Sequence, residues 1–284
     1  MAKHARMNTD AATPTPSSTP TRSSTTGVVL TDIADGIGTV TLNRPEARNA
    51  LSSELLRLLR EAMATVDGSD DVDVIILTGS DPAFSAGLDL KELGSTGRNL
   101  GAGSANSTSG EPARPWATLR KPLIGAINGV AVTGGFELAL LCDFLIASDR
   151  AAFGDTHARV GILPGWGLSV LLPQAVGVRR AIEMSLTGNF MHAEEALAFG
   201  LVNHVVPHAE LIPAARKLAG DIVGNNADAV QALVTSYRAI HRVSVGDGER
   251  LEVQVGREWS GRTYEPAVVE ARRAAIMARG RTQV

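Results

Sequence analysis

Residues 128–143, NGVAVTGGFELALLCD, place one carboxylate, Glu137, at the head of an apolar run, just after the pair Gly134–Gly135. The preceding segment Leu123–Ile127 is strand-like, and residues 136–142 read as a buried helix. A helix start carries free backbone N–H groups and the positive end of the helix dipole, so it can hold an anion or a developing oxyanion. Glycine lets a ligand approach that backbone closely. Glu137, in the first turn, therefore stands beside a place where negative charge can be stabilised. A carboxylate next to an oxyanion site points to proton chemistry alpha to a carbonyl. The same residues also fit a Gly-rich turn with a helix-capping Glu, because acidic first turns are common.

Outward from this segment the chain alternates strands and helices. Residues 28–33 and Ile37–Leu42 are predicted strands joined by a turn at Asp35-Gly36. Residues 51–65 have helical periodicity, with Leu51, Leu55, Leu58, Leu59 and Ala62 on one face. Residues 72–77, Leu123–Ile127 and Phe144–Ser148 are short apolar strands. Residues 74–90 and 123–141 share one pattern of strand, Gly-containing turn and apolar helix, so two turns could face one pocket. Residues 94–114, loaded with Gly, Ser and Asn, are too polar for a core and predict a mobile loop over a site. Pro164-Gly165-Trp166-Gly167 forms a second glycine-rich turn, and from Ala175 the chain becomes helical. Helices are predicted over residues 179–186, 193–199, 209–223, 227–241, 250–259 and 265–279. The pattern is α/β in the first half and mostly helical at the end.

Composition narrows the function classes. With 284 residues and 44% hydrophobic content, the chain suits one large domain or a domain plus an extension. A net charge of -3 gives no reason to expect nucleic acid or an anionic membrane as a partner. Cys142 is the only cysteine, which rules out an internal disulfide and fits a reducing, cytoplasmic setting. No apolar run has the length of a membrane span, and the N-terminus lacks the apolar stretch of a secretory signal. Residues 1–26, rich in Ala, Thr, Ser and Pro, read as a disordered tail. The six histidines show no metal-ligand spacing such as HExxH, so no metal is expected.

Five blocks, in this order, resemble the enoyl-CoA hydratase/isomerase family, the crotonase superfamily. They are NRPEARNAL (43–51), AFSAGLDLK (83–91), NGVAVTGGFELALLCD (128–143), VRRAIEMSLTG (178–188) and AEEALAFGLVNHVV (193–206). The resemblance implies an α/β spiral of ββα units over 27–207, followed by a helical trimerisation region over 208–284. It implies a homotrimer or a dimer of trimers acting on an acyl-CoA thioester in fatty-acid metabolism, with CoA as part of the substrate and no separate cofactor. By motif position the backbone N–H groups of Leu88 and Gly134 would bind the thioester oxygen and stabilise an enolate. Glu137 would be the principal acid/base, and Gly165 would help to seat a water. Arg44, Arg48, Ala86, Asp89 and Lys91 would lie along the CoA.

One departure stands out. Hydratases of this family use two glutamates, and the second belongs in a segment that commonly reads FG, two residues, then Glu. Here Phe153-Gly154-Asp155-Thr156-His157 puts a histidine at that position. Free imidazole titrates near ~6.5 against ~4.3 for Glu, and either can move a proton near neutral pH in a tuned environment. A Glu137–His157 pair could hold a water with one acceptor and one donor. Otherwise His157 is a pocket-wall residue bonded to a neighbour such as Asp155. The readings that remain are hydration of a 2-enoyl-CoA, a one-base double-bond isomerisation, and an acyl-CoA-binding protein without catalysis. A hydrolase built on Thr133 and His157 is the weakest, because no G-x-S-x-G elbow occurs. Trp166, bulkier than the residue usual there, is expected to narrow the acyl pocket.

Overall fold

The computed structural model describes residues 27–96, 114–263 and 266–282. The tail at 1–26, and residues 97–113 of the expected loop, lie outside them. β1 (Val29–Ala34) and β2 (Ile37–Leu42) form an antiparallel hairpin. Its turn residues, Asp35 at φ 57° and Gly36 at φ 76°, both adopt the left-handed region that a tight hairpin needs. α1 (Ser53–Gly68) follows, capped by Ser52, whose hydroxyl accepts from the Leu55 N–H at 3.2 Å. Leu55, Leu56, Leu59, Met63 and Val66 form its buried face. The helix starts later than its periodicity suggests because Leu51 is held outside it, in a β-bridge to Leu88.

Three ββα units come next. They are β3 (Val74–Gly79), β4 (Ala83–Ser85) and α2 (Leu90–Thr96); β5 (Leu123–Ile127), β6 (Val130–Val132) and α3 (Gly134–Leu140); and β7 (Phe144–Ser148), β8 (Ala152–Gly154) and α4 (His157–Val160). Residues 94–96, expected to begin a loop, complete α2. The remaining elements are α5 (Leu168–Val176), α6 (Val178–Thr187), β9 (Phe190–His192), α7 (Ala193–Ala198), β10 (His204–Val206), α8 (Leu211–Val223), α9 (Ala227–Ile240), α10 (Val245–Thr263) and α11 (Pro266–Thr282). No helix among the described residues is long and apolar enough to cross a membrane.

Each unit sends its first strand to one sheet and its second to another, so the chain winds as a spiral. The first sheet runs β1-β2-β3-β5-β7-β10 and the second β4-β6-β8-β9. β3, β5 and β7 are mutually parallel in the first, as are β4, β6 and β8 in the second. The strands of the second sheet have three residues each, too short to show a period of their own.

The main core lies inside the spiral, where Phe84 on β4, Phe136 on α3 and Phe153 on β8 are fully buried. Each aromatic ring adds about 2–3 kcal/mol of burial free energy. Leu211, Ala215 and Ala219 of α8 cover the other face of the large sheet, against Ile37, Val74, Ile76, Ile124 and Ile146. α9 is pinned to the core by Arg238, whose guanidinium grips both oxygens of Asp143 at 2.7 and 2.6 Å and the Lys121 carbonyl at 3.0 Å.

Candidate active site

β4, β6 and β8 are neighbours, so the turns that follow them are stacked about one strand spacing apart, ~4.8 Å. The β4 turn carries Ala86 to Asp89, the β6 turn Thr133 and Gly134, and the β8 turn Asp155 to His157. The first two are in direct contact. A Cβ on Gly87, at φ +84°, would fall 2.6 Å from the Val132 carbonyl and 3.4 Å from the Gly134 nitrogen. A Cβ on Gly135 would fall 2.5 Å from the Ser85 carbonyl. Glycine at both positions is a packing requirement that brings two backbones together.

Leu88 and Gly134 have free N–H groups for different reasons. Leu51 donates to the Gly87 carbonyl at 2.7 Å and accepts from the Asp89 N–H at 3.2 Å. In such a parallel bridge the N–H of Leu88 itself turns away from Leu51. Gly134 opens α3, so its N–H has no intrahelical acceptor. Among the described residues neither N–H finds a partner. The side chains of Leu51, Trp166 and Leu88 close over Gly134, lying 3.2, 3.5 and 3.9 Å from where its Cβ would be. Trp166 thus lies directly against the Gly134 turn. The turn is held under strain: Thr133 has φ 52° and ψ -116°, and its hydroxyl bonds that of Thr156 at 2.6 Å. Because Thr133 pairs with Thr156, the Thr133–His157 pair of a hydrolase is not formed.

Glu137 is 3% exposed, and its two oxygens face different groups. Oε1 accepts the Trp166 N–H at 2.7 Å and, more weakly, the Leu168 N–H at 3.4 Å. Oε2 faces His157 Nε2 at 3.5 Å, too long for a good hydrogen bond but close for a charge pair. His157, also buried, is fixed from its other side. Its Nδ1 lies 2.6 Å from Asp155 Oδ1, and its backbone N–H donates to the same oxygen at 3.1 Å. Burial opposes a charged imidazole, but the hydrogen bonds to Asp155 and Glu137 and the charges of both carboxylates outweigh it, raising the His157 pKa to about 9. Burial likewise opposes ionisation of Asp155, yet its bonds to His157 and Ser185 hold its pKa below the usual carboxylate value. At neutral pH His157 is thus a cation held between two carboxylates. The neighbour bond to Asp155 and the approach to Glu137 coexist on opposite ring nitrogens.

This spiral, with a buried acid beside paired N–H groups, coincides with a known family in both sequence and fold. A model of the family described as enoyl-CoA hydratase/isomerase matches residues 32–256. The chain belongs to the enoyl-CoA hydratase/isomerase family. It is 39% identical to a probable peroxisomal enoyl-CoA hydratase of Arabidopsis thaliana, over 77% of this chain and 78% of that one. A crystal structure of an enoyl-CoA hydratase from Mycobacterium avium is 51% identical, with a TM-score of 0.68 over 82% of this chain and 94% of that one. A monofunctional enoyl-CoA isomerase from M. smegmatis is 31% identical, with a TM-score of 0.65 over 78% and 98%. Both reactions therefore occur among similar folds, and the residues at the site must distinguish them.

The other residues implied by family motifs fall into two groups. Arg44 is engaged: Nη1 donates to Asp89 Oδ2 at 3.0 Å and to the Ala50 carbonyl at 2.7 Å, which braces the Leu88 turn. Asp89 serves as its counter-charge. Arg48 and Lys91 are exposed at the same end, and the Ala86 N–H donates to the Arg48 carbonyl at 2.9 Å. Gly165 is exposed, and it is the next residue, Trp166, whose N–H holds Glu137. Sequence reasoning missed Asn49, which is fully buried. Its side chain binds the Arg44 N–H and the Ser80 and Ala83 carbonyls, locking residues 44–49 to β4. A polar residue inside a loop block carries no mark of burial. Arg114 was also missed as a site residue. It donates to the Trp166 carbonyl at 3.2 Å, and its only sequence signal was a cation closing a Gly/Ser-rich stretch.

Proposed function

We propose that this protein hydrates 2-enoyl-CoA thioesters, with Glu137 as base and His157 as the proton donor in place of the usual second glutamate. The observation that carries the reading is the Glu137 Oε2–His157 Nε2 approach at 3.5 Å beside the Leu88 and Gly134 N–H groups. The thioester oxygen lies between the two N–H groups. Glu137 takes a proton from water as its oxygen bonds C3, and the π electrons of C2=C3 move onto the thioester oxygen. The two N–H groups stabilise that enolate. C2 then takes the proton of His157 Nε2. Glu137, now protonated, faces a neutral imidazole, and proton transfer across that gap restores both groups. Water and the ester supply every atom, so no cofactor enters.

The same proposal includes CoA along the Arg44, Arg48, Ala86, Asp89 and Lys91 end, with Gly165 and Trp166 bordering the water. It also includes assembly as trimers or dimers of trimers through the 208–284 region and adjoining helices, and a cytoplasmic location. Val178, Ile182 and Leu186, spaced four apart on α6 and 61%, 52% and 76% exposed, support a self-association surface. An assay on paired substrates tests the reaction. Hydration removes the conjugated absorbance of a 2-enoyl-CoA, whereas isomerisation of a 3-enoyl-CoA creates it. Loss with the first and no change with the second is expected. The reverse pattern assigns a one-base isomerase, and no change with either across chain lengths leaves a binding protein.

A further inference from the structure

Arg114 is half-buried, makes one hydrogen bond, to the Trp166 carbonyl, and has no ion pair among the described residues. That one bond leaves most of the five guanidinium donors without a protein acceptor among the described residues. Its position is specific. The Trp166 carbonyl receives Arg114 while the Trp166 N–H holds Glu137 Oε1, so one residue separates the cation from the catalytic carboxylate. Burial lowers the Arg114 pKa, the nearby charge of Arg242 adds to this, and Glu137 opposes it. The group stays charged throughout. Two cations thus border a wall of the site where the acid already has Trp166, Leu168 and His157 as partners. The same tryptophan supplies a second feature. Its indole Nε1–H is buried and has no hydrogen-bond partner. Buried donors in native proteins are nearly always satisfied, so this one marks a place for an acceptor.

Sheet order says which part of the substrate meets this wall. Leu88 follows β4 with Arg44 braced beside it, Gly134 and Glu137 follow β6, and His157 follows β8 with Trp166 packed against Glu137. With the thioester oxygen at Leu88 and Gly134 and CoA at the Arg44 end, the acyl group runs past Glu137 toward Arg114. We propose that Arg114, assisted by the Trp166 indole N–H, selects acyl groups bearing a carboxylate distal to the thioester. The substrate class is a 2-enoyl-CoA derived from a dicarboxylic acid. A guanidinium offers the paired N–H geometry that a carboxylate accepts. This inference rests on the acyl-CoA reading of the site, but its test does not require turnover.

Binding of two saturated, unreactive esters to the full chain is measured by calorimetry: glutaryl-CoA, with a terminal carboxylate, and pentanoyl-CoA, of equal length and uncharged. Wild type should bind glutaryl-CoA about tenfold or more tighter, the usual size of a charge-assisted hydrogen bond. Arg114→Gln should erase that ratio, Arg114→Lys should keep part of it, and Trp166→Phe, which retains a ring, should reduce it by less. The ratio of kcat/KM for glutaconyl-CoA and 2-pentenoyl-CoA should move in parallel. Equal binding of the two esters by wild type, or tighter binding of pentanoyl-CoA, overturns the proposal even if 2-pentenoyl-CoA is hydrated. So does an Arg114→Gln variant that weakens both esters alike, which would place Arg114 on CoA or on Glu137. A glutaryl-CoA preference without turnover of any enoyl ester keeps carboxylate recognition and removes hydration instead.

Discussion

The turn after β4 and the turn after β8 occupy the same place in the first and third ββα units, yet they supply different chemistry. The β4 turn offers a backbone N–H, on Leu88, aimed by the Leu51 bridge and by the contact of Gly87 with Val132 and Gly134. The β8 turn offers a side chain, His157, charged by Asp155 and facing Glu137. The β6 turn between them does both, through Gly134 and Glu137. A backbone donor depends on main-chain shape and tolerates many side chains. A proton-transfer group depends on its own chemistry and tolerates few. Under the proposed reaction, the repeated architecture separates the part that recognises the thioester from the part that sets the chemistry.

Substitutions can break this division, beginning on the side-chain half. Glu137→Gln keeps the shape and the Trp166 contact but removes the base. It should lower kcat/KM for a 2-enoyl-CoA about 10³-fold while a saturated acyl-CoA still binds, measured by steady-state kinetics and calorimetry. Unchanged turnover in this variant would end the assignment of Glu137. His157→Gln should cost about 10²-fold in kcat and also reshape the pH profile. If the cationic imidazole is the donor, wild-type activity falls as pH rises through about 9, and the variant loses that limb. A variant with the same alkaline limb as wild type would assign the titration to another group.

The backbone half gives smaller and opposite signatures. Gly87→Ala places a methyl group 2.6 Å from the Val132 carbonyl at a positive φ. It should lower activity by tens of fold and stability by about 2 kcal/mol, read by kinetics and thermal melting. Leu88→Ala keeps the N–H, and should cost less than about tenfold in kcat/KM. A larger loss from Leu88→Ala than from Gly87→Ala would reverse the comparison.

A separate effect is on the pH dependence of stability. The folded pKa of His157, about 9, lies above the unfolded value of ~6.5, so its pairing stabilises fully below ~6.5 and is lost as pH rises through about 9. The melting temperature of wild type should decline between those pH values more than that of His157→Gln.

The strands Ile37–Leu42, Leu123–Ile127 and Phe144–Ser148 were legible because each is a short segment rich in apolar and β-branched residues bounded by turn residues. The Gly134 helix start was legible as well, from its glycines and its acid. The second sheet was not. Ala83–Ser85, Val130–Val132 and Ala152–Gly154 have three residues each, and only pairing with one another gives them strand character. Arg44 shows the same limit for a side chain. A cation in a CoA-associated block suggested phosphate, and its contact with Asp89, forty-five residues on, could not be read from the block. Trp166 was noticed for its size, but the feature that fixes Glu137 is its N–H, which every residue except proline carries.

By itself the sequence determined the α/β alternation, the family, the glycine-rich turns and the place of Glu137 at a helix start. Apolar periodicity, glycine spacing and an acid at a helix start are local properties, written in consecutive residues. Only the tertiary structure decided what surrounds His157. Its charge depends on burial and on two carboxylates, Asp155 two residues away and Glu137 twenty residues back, brought opposite each other by the pairing of β6 with β8. Pairing between distant strands sets such distances, and a linear spacing does not contain them.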